Sequence, residues 1–224
     1  KNGMGGFMLT DGTASRSAYT ASSGLTHAYI MSDQRFFKDF RLIYGVRMER
    51  FHQKLSSFRD ADKVSVDSTY TDFLPSVNFV YAVTHKINIR LSYSNTINRP
   101  EFRELAPFIF FDYSSNIIYE GQETLKRAKI TNYDFRFEFY PGKAQLFSVS
   151  GFYKDLVNPI EIITIPNTNQ VVYNNAESAK IYGIEVEFRS LLSTLVGSKR
   201  ENGFLSRFTI AGNAALTNSK VVLG

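Results

Sequence analysis

The chain has no cysteine, no tryptophan, only three histidines and no long apolar run. Without cysteine there is no disulfide framework and no thiolate metal site. His27, His52 and His85 stand in three separate segments with no second ligand at metal spacing, so no metal is expected. No segment supplies the ~18 mainly apolar residues of a spanning helix, and mean hydropathy is slightly negative. There is no Gly-x-Ser-x-Gly elbow, and nothing is placed to orient His52 as a base, so no catalytic residue and no enzyme activity are expected. Gly3, Gly5 and Gly6 make no phosphate loop, because no strand precedes them and no helix pattern follows; no cofactor is expected. The net charge of +5 is spread along the chain without a basic cluster interleaved with rings, which argues against nucleic acid as a partner.

What the chain does have is Phe and Tyr, 20 and 13 of them. From Tyr133 to Tyr140 the sequence reads Tyr-Asp-Phe-Arg-Phe-Glu-Phe-Tyr, so rings at 133, 135, 137 and 139 alternate with Asp134, Arg136 and Glu138. In an extended strand this puts rings on one face and charge on the other. A soluble sheet would back its apolar face with aliphatic side chains; a ladder of rings opposite full charges predicts lipid on one side and water on the other. The same alternation recurs at Phe40 to Met48, Val77 to Tyr81, Ile87 to Tyr93, Phe147 to Tyr153, Tyr182 to Phe188 and Phe208 to Leu216, and less cleanly at Leu25 to Phe36. That makes eight strands.

The connections alternate in length. Short turns are expected at Phe37 to Asp39, Thr84 to Lys86 and Pro141 to Lys143, with a longer fourth at Leu191 to Gly203. Long polar loops are expected at Leu55 to Thr71, Asn95 to Asn132 and Asp155 to Ala179. Outer-membrane barrels sort their connections this way, with short turns facing the periplasm and long loops facing outside. Phe51, Phe73, Tyr93, Tyr133, Tyr153 and Tyr182 would form an upper aromatic girdle, and Phe36, Phe40, Tyr81, Tyr140 and Phe204 a lower one. The fold class read from the residues is therefore all-β, an antiparallel transmembrane β-barrel, with residues 1–224 forming a single barrel segment. With the short turns in the periplasm, both ends of the chain fall outside the cell. A single-chain barrel has its termini in the periplasm, so the expectation is an internal piece of a larger barrel. Two alternatives remain at this point: a closed eight-stranded barrel acting as anchor or narrow pore, and a soluble all-β adhesin or carbohydrate-binding domain.

The run from Arg90 to Phe108, Arg-Leu-Ser-Tyr-Ser-Asn-Thr-Ile-Asn-Arg-Pro-Glu-Phe-Arg-Glu-Leu-Ala-Pro-Phe, resembles the strand and following loop of TonB-dependent outer-membrane receptors. The resemblance continues through Asn132 to Pro141, Ser148 to Lys154, Asn158-Pro-Ile-Glu161, Asn174-Asn-Ala176 and Tyr182 to Glu187. Gly45-Val-Arg-Met-Glu49 departs from the family pattern only in Met48, where an aromatic is usual. The resemblance implies a barrel of about 22 strands closed by an N-terminal plug domain. It further implies a bulky, scarce ligand bound outside the cell and imported with energy from the inner-membrane TonB complex. Partners implied are outer-membrane lipid, the plug and remaining strands, the TonB complex and, as in some glycan and peptide importers, a capping surface lipoprotein.

Candidate ligand-contacting residues fall in two groups. Arg99, Glu101, Arg103 and Glu104 crowd the start of a long loop that then turns aromatic through Phe108, Phe110, Phe111 and Tyr113. Charges beside rings could form a ligand platform, or simply pack the loop on the barrel rim. Arg47, Arg90, Arg136 and Glu185 belong to the charged face and should line the lumen, where hydration and ion pairing along the wall is the alternative role.

Overall fold

The computed structural model describes residues 18–59, 62–142, 144–197 and 203–223. Its strands, in chain order, are β1 (Tyr19–Phe36), β2 (Phe40–Arg59), β3 (Asp62–Thr84), β4 (Ile87–Asn98), β5 (Ile109–Asp112), β6 (Ile117–Glu120), β7 (Ala128–Phe139), β8 (Leu146–Val157), β9 (Ile160–Thr164), β10 (Gln170–Asn175), β11 (Ser178–Leu191) and β12 (Thr209–Val222). One helical turn, α1 (Phe102–Leu105), follows β4, and another, α2 (Leu192–Leu195), follows β11. Eight strands form one sheet in the order β1-β2-β3-β4-β7-β8-β11-β12, each antiparallel to its neighbours. They are the eight alternating segments of the sequence. Among the described residues β1 and β12 are the sheet's two edges and do not pair, so the closed eight-stranded alternative does not form.

Register explains the faces. Tyr93, Tyr133, Tyr153 and Tyr182 stand in one row across β4, β7, β8 and β11. Their first two ring-to-ring spacings are 5.3 and 6.2 Å. This is the upper girdle. Near the opposite end Phe36, Phe40 and Tyr81 share a row, with the Phe40 and Tyr81 rings stacked at 4.5 Å. Between the girdles the outward rows are apolar and open to solvent in the isolated sheet, as a lipid-facing wall must be. The opposite face carries the charges, among them the buried Glu49, Asp72 and Glu138.

Three expectations need correction. Leu55 to Thr71 is not a loop: β2 and β3 continue as one paired hairpin up to Arg59 and Asp62. Apart from Phe58 its outward residues are polar, which hides the strand pattern, but Leu55, facing inward, is only 1% exposed because later segments of the chain cover it. Phe51 does not join the upper girdle; it lies on the inward face with Glu49 and Gln53, beneath the Arg99 guanidinium. The long connections after β4 and β8 are also more ordered than loops. Their strands form a second sheet in the order β5-β6-β10-β9, in which β6 and β10 run parallel. The connection from Leu191 to Gly203 begins with α2, whose first amide donates to the carbonyl of Phe208; residues 198–202 lie outside the described residues.

The small hydrophobic core sits at the mouth and not in the wall. Leu55, Leu105, Ala106 and Leu125 form it, with Val66, Phe102, Phe108, Ile160 and Tyr173 packed around them. The raised β2–β3 hairpin gives this cluster its back wall.

Candidate functional site: the mouth and the lumen wall

The mouth is assembled by the segment after β4. Pro100 ends the strand, and its carbonyl accepts a hydrogen bond from the buried Gln53 amide at 3.1 Å. Glu101 and Glu104 then cap α1 reciprocally: each side chain accepts from the other's backbone amide, at 2.8 Å for Glu101 N–H to Glu104. Burial pushes the Glu104 carboxyl above its ordinary value, with the Glu101 amide hydrogen bond opposing. The Gln122 amide donates to the Glu104 carbonyl at 2.6 Å, which seats the end of β6 against α1. That contact leaves no room at Gly121, where a Cβ would stand 2.2 Å from the Ala106 carbonyl oxygen and 2.7 Å from that of Arg103. Both obstacles are backbone. Gly121→Val should therefore force the mouth open at a cost of about 1 to 3 kcal/mol, seen as faster protease cleavage between residues 99 and 127 with the wall unchanged.

Buried ion pairs fasten this assembly to the inner wall. Arg99 donates to Glu49 at 2.6 Å and lies over the Phe51 ring, while Arg47 reaches the other oxygen of Glu49 at 2.6 Å. Asp72, 6% exposed, accepts from Arg127 at 2.6 Å, and Arg127 lies over the Tyr70 ring at 4.0 Å. Higher on the hairpin, Arg59 grips Glu123 with two hydrogen bonds of 2.9 and 2.7 Å. Asn175 joins the two long loops, accepting from the Lys126 amide and donating to the carbonyls of Lys126 and Asn158. Asp72, Arg127, Arg59, Glu123 and Gln53 were not among the sequence candidates. Asn175 was visible only as the middle of the Asn174-Asn-Ala176 word.

The predicted loop residues thus separate. Arg99, Glu101, Glu104 and Phe108 are engaged in holding the mouth, Phe108 by stacking on Tyr19 at 5.8 Å. Arg103 lies over the Phe110 ring at 4.3 Å, and Phe111 meets Tyr113 edge-on at 4.7 Å. Tyr113 is 88% exposed at the tip of the β5–β6 hairpin. Below the mouth, Arg90 and Arg136 face each other directly across β4 and β7, a like-charge pair that Glu138 relieves by accepting from both, at 2.9 and 3.1 Å. Arg136 also reaches Glu187 at 2.8 Å, and Arg189 lies 3.5 Å from the same carboxylate. Arg41, Asn78, Arg90, Arg136, Lys154 and Glu185 line a recess of 470 Å³ on this face.

A wall with rings toward lipid and ion pairs inward, and a mouth covered by a folded loop sheet, defines the wall of an outer-membrane receptor barrel. The chain belongs to the TonB dependent receptor-like β-barrel family, whose model matches residues 2–222. Among solved structures it is similar to the copper transporter OprC, at 16% identity and a TM-score of 0.64 over 90% of this chain and 30% of that one. It is likewise similar to the alcaligin outer-membrane receptor FauA from Bordetella pertussis, at 17% identity and a TM-score of 0.58 over 91% and 31%. The iron transporter FrpB from Neisseria meningitidis gives 17% and 0.57 over 91% and 27%. The chain therefore spans about a third of these proteins' length. Among curated proteins none matches.

Proposed function

We propose that this chain supplies wall, lumen and part of the external mouth of a receptor that binds a bulky, scarce ligand outside the cell. Import would draw on the inner-membrane TonB complex acting through a plug domain. The observation that carries this reading is the mouth itself: two long external segments fold into one sheet and are fixed to the lumen wall by buried ion pairs. A passive anchor has no use for such a fixed platform above a charged lumen. Arg103, Phe110, Phe111 and Tyr113 are the ligand-facing group, since a cation beside rings suits an anionic or aromatic chelate. Arg47, Arg90, Arg136 and Glu185 line the path below.

The test is uptake of radiolabelled ferric siderophores, hydroxamate and catecholate in turn, by cells making the full-length receptor. The reading expects import of one class that a protonophore abolishes, and weaker binding of that ligand after Arg103→Ala with Tyr113→Ala. Import unaffected by the protonophore, or binding unchanged in the double variant, contradicts it. Co-purification from the source membrane tests whether a surface lipoprotein also caps the mouth.

A further inference from the structure

One row of the outward wall has a gap. Across the sheet a single row reads Leu42, Phe79, Leu91, Phe135, Gly151, Ile184, Leu216, so that only Gly151 lacks a side chain. The result is an apolar notch of 650 Å³ bounded by Phe135, Ile184 and, on its outer side, Tyr133, Tyr153 and Tyr182. Backbone packing does not require the glycine. A Cβ there would meet only the Gly183 carbonyl oxygen, at an ordinary 3.9 Å.

Directly above the notch, beyond the tyrosine row, Lys180 on β11 faces Lys220 on β12 in register, both outward and exposed. Two cations opposite each other repel. Asp155 stands beside Lys180 in the same row, yet neither lysine has a carboxylate within 4.0 Å among the described residues. Lys180 lies four residue steps along β11 from Ile184, a rise of about 13 Å, so an acyl chain and a headgroup would meet the two features at once.

We propose that this is a binding site for an anionic, phosphate-bearing lipid of the outer leaflet, with one acyl chain in the Gly151 notch and its phosphate between Lys180 and Lys220. The phosphate neutralises the lysine pair, whose long stems reach the headgroup level from the strand. The proposal rests on the outward face being the lipid face, which accessibility measurements along β7 test separately.

Native mass spectrometry of the full-length receptor in nonionic detergent, offered lipid A, phosphatidylglycerol and phosphatidylcholine, reads the site. The wild type should retain the phosphorylated anionic lipids in preference to phosphatidylcholine. Gly151→Leu should lower that retention about tenfold, the worth of roughly two methylenes leaving apolar contact. Lys180→Gln with Lys220→Gln should erase the preference while leaving phosphatidylcholine retention unchanged, with the barrel still resistant to SDS before heating. If Gly151→Leu does not assemble, the lysine variant alone decides. Equal lipid retention in wild type and variants overturns the proposal. So does retention of inorganic phosphate without lipid, or a dimer of the receptor that Gly151→Leu dissociates.

Discussion

Phe135→Arg should prevent the barrel from assembling. Phe135 lies in the middle of the outward row, between the tyrosine girdle and the lower rings, where an arginine costs ~2 to 4 kcal/mol near the bilayer midplane. One residue along the same strand, Arg136→Gln should cost within about 1 kcal/mol, although it removes a charge engaged in two ion pairs. The reason is redundancy: Glu138 keeps Arg90 at 2.9 Å, and Glu187 keeps Arg189 at 3.5 Å. Folding yield into lipid vesicles, read from the mobility of unheated samples, distinguishes the two. The opposite ranking would mean that the faces are assigned the wrong way round.

Asp72→Ala should release the mouth without harming the wall. Among the described residues Asp72 is the only carboxylate within 4.0 Å of Arg127, and its second oxygen lies 4.0 Å from Arg99. Removing it strands a largely buried guanidinium over the Tyr70 ring, at a cost of about 2 to 3 kcal/mol. Arg99 still has Glu49, so the loss is confined to the segment around Arg127. Limited proteolysis should show cleavage between β6 and β7 many times faster than in the wild type, with the unfolding temperature of the wall unchanged. Wild-type protection of that segment would show that the loops hold without the ion pair.

The wall was legible in the sequence because two solvents act on it. Lipid on one face and water on the other force strict alternation, and the run from Tyr133 to Phe139 records both. Above the bilayer that pressure ends. Lys54, Ser56, Ser65 and Asp67 line the outer face of the raised hairpin, and the inward Leu55, Val64 and Val66 mark it as strand. The burial of Leu55 and Val66 depends on Leu105 and Phe108, which lie some way further along the chain. Phe51 misleads by its parity, which turns it inward to Arg99 and away from the outward tyrosine row. The loop sheet was hidden more deeply. Strands of four to six residues gain their order from a parallel pairing between β6 and β10, whose paired residues lie 52 positions apart, Ile118 with Gln170 for example.

The site was half legible. Charge beside rings singled out the segment from Arg99 to Tyr113, which the fold places at the mouth, but charge alone does not separate a residue that holds the loop from one that faces outward. Arg99 and Arg103 look equivalent in sequence; Glu49, far back on β2, captures one of them. Asp72 and Arg127 passed unnoticed because each is an ordinary charge until the fold brings them together.

The central claim is that the rings of β7 meet lipid and its charges meet a water-filled lumen. Spin labels placed singly at residues 133 to 139 of the full-length receptor in bilayers test it most directly, and this chain has no cysteine of its own to interfere. Collision with oxygen should peak at 133, 135, 137 and 139, and collision with a water-soluble nickel chelate at 134, 136 and 138. Accessibility without that two-residue alternation, or with the two reagents exchanged, would contradict the account.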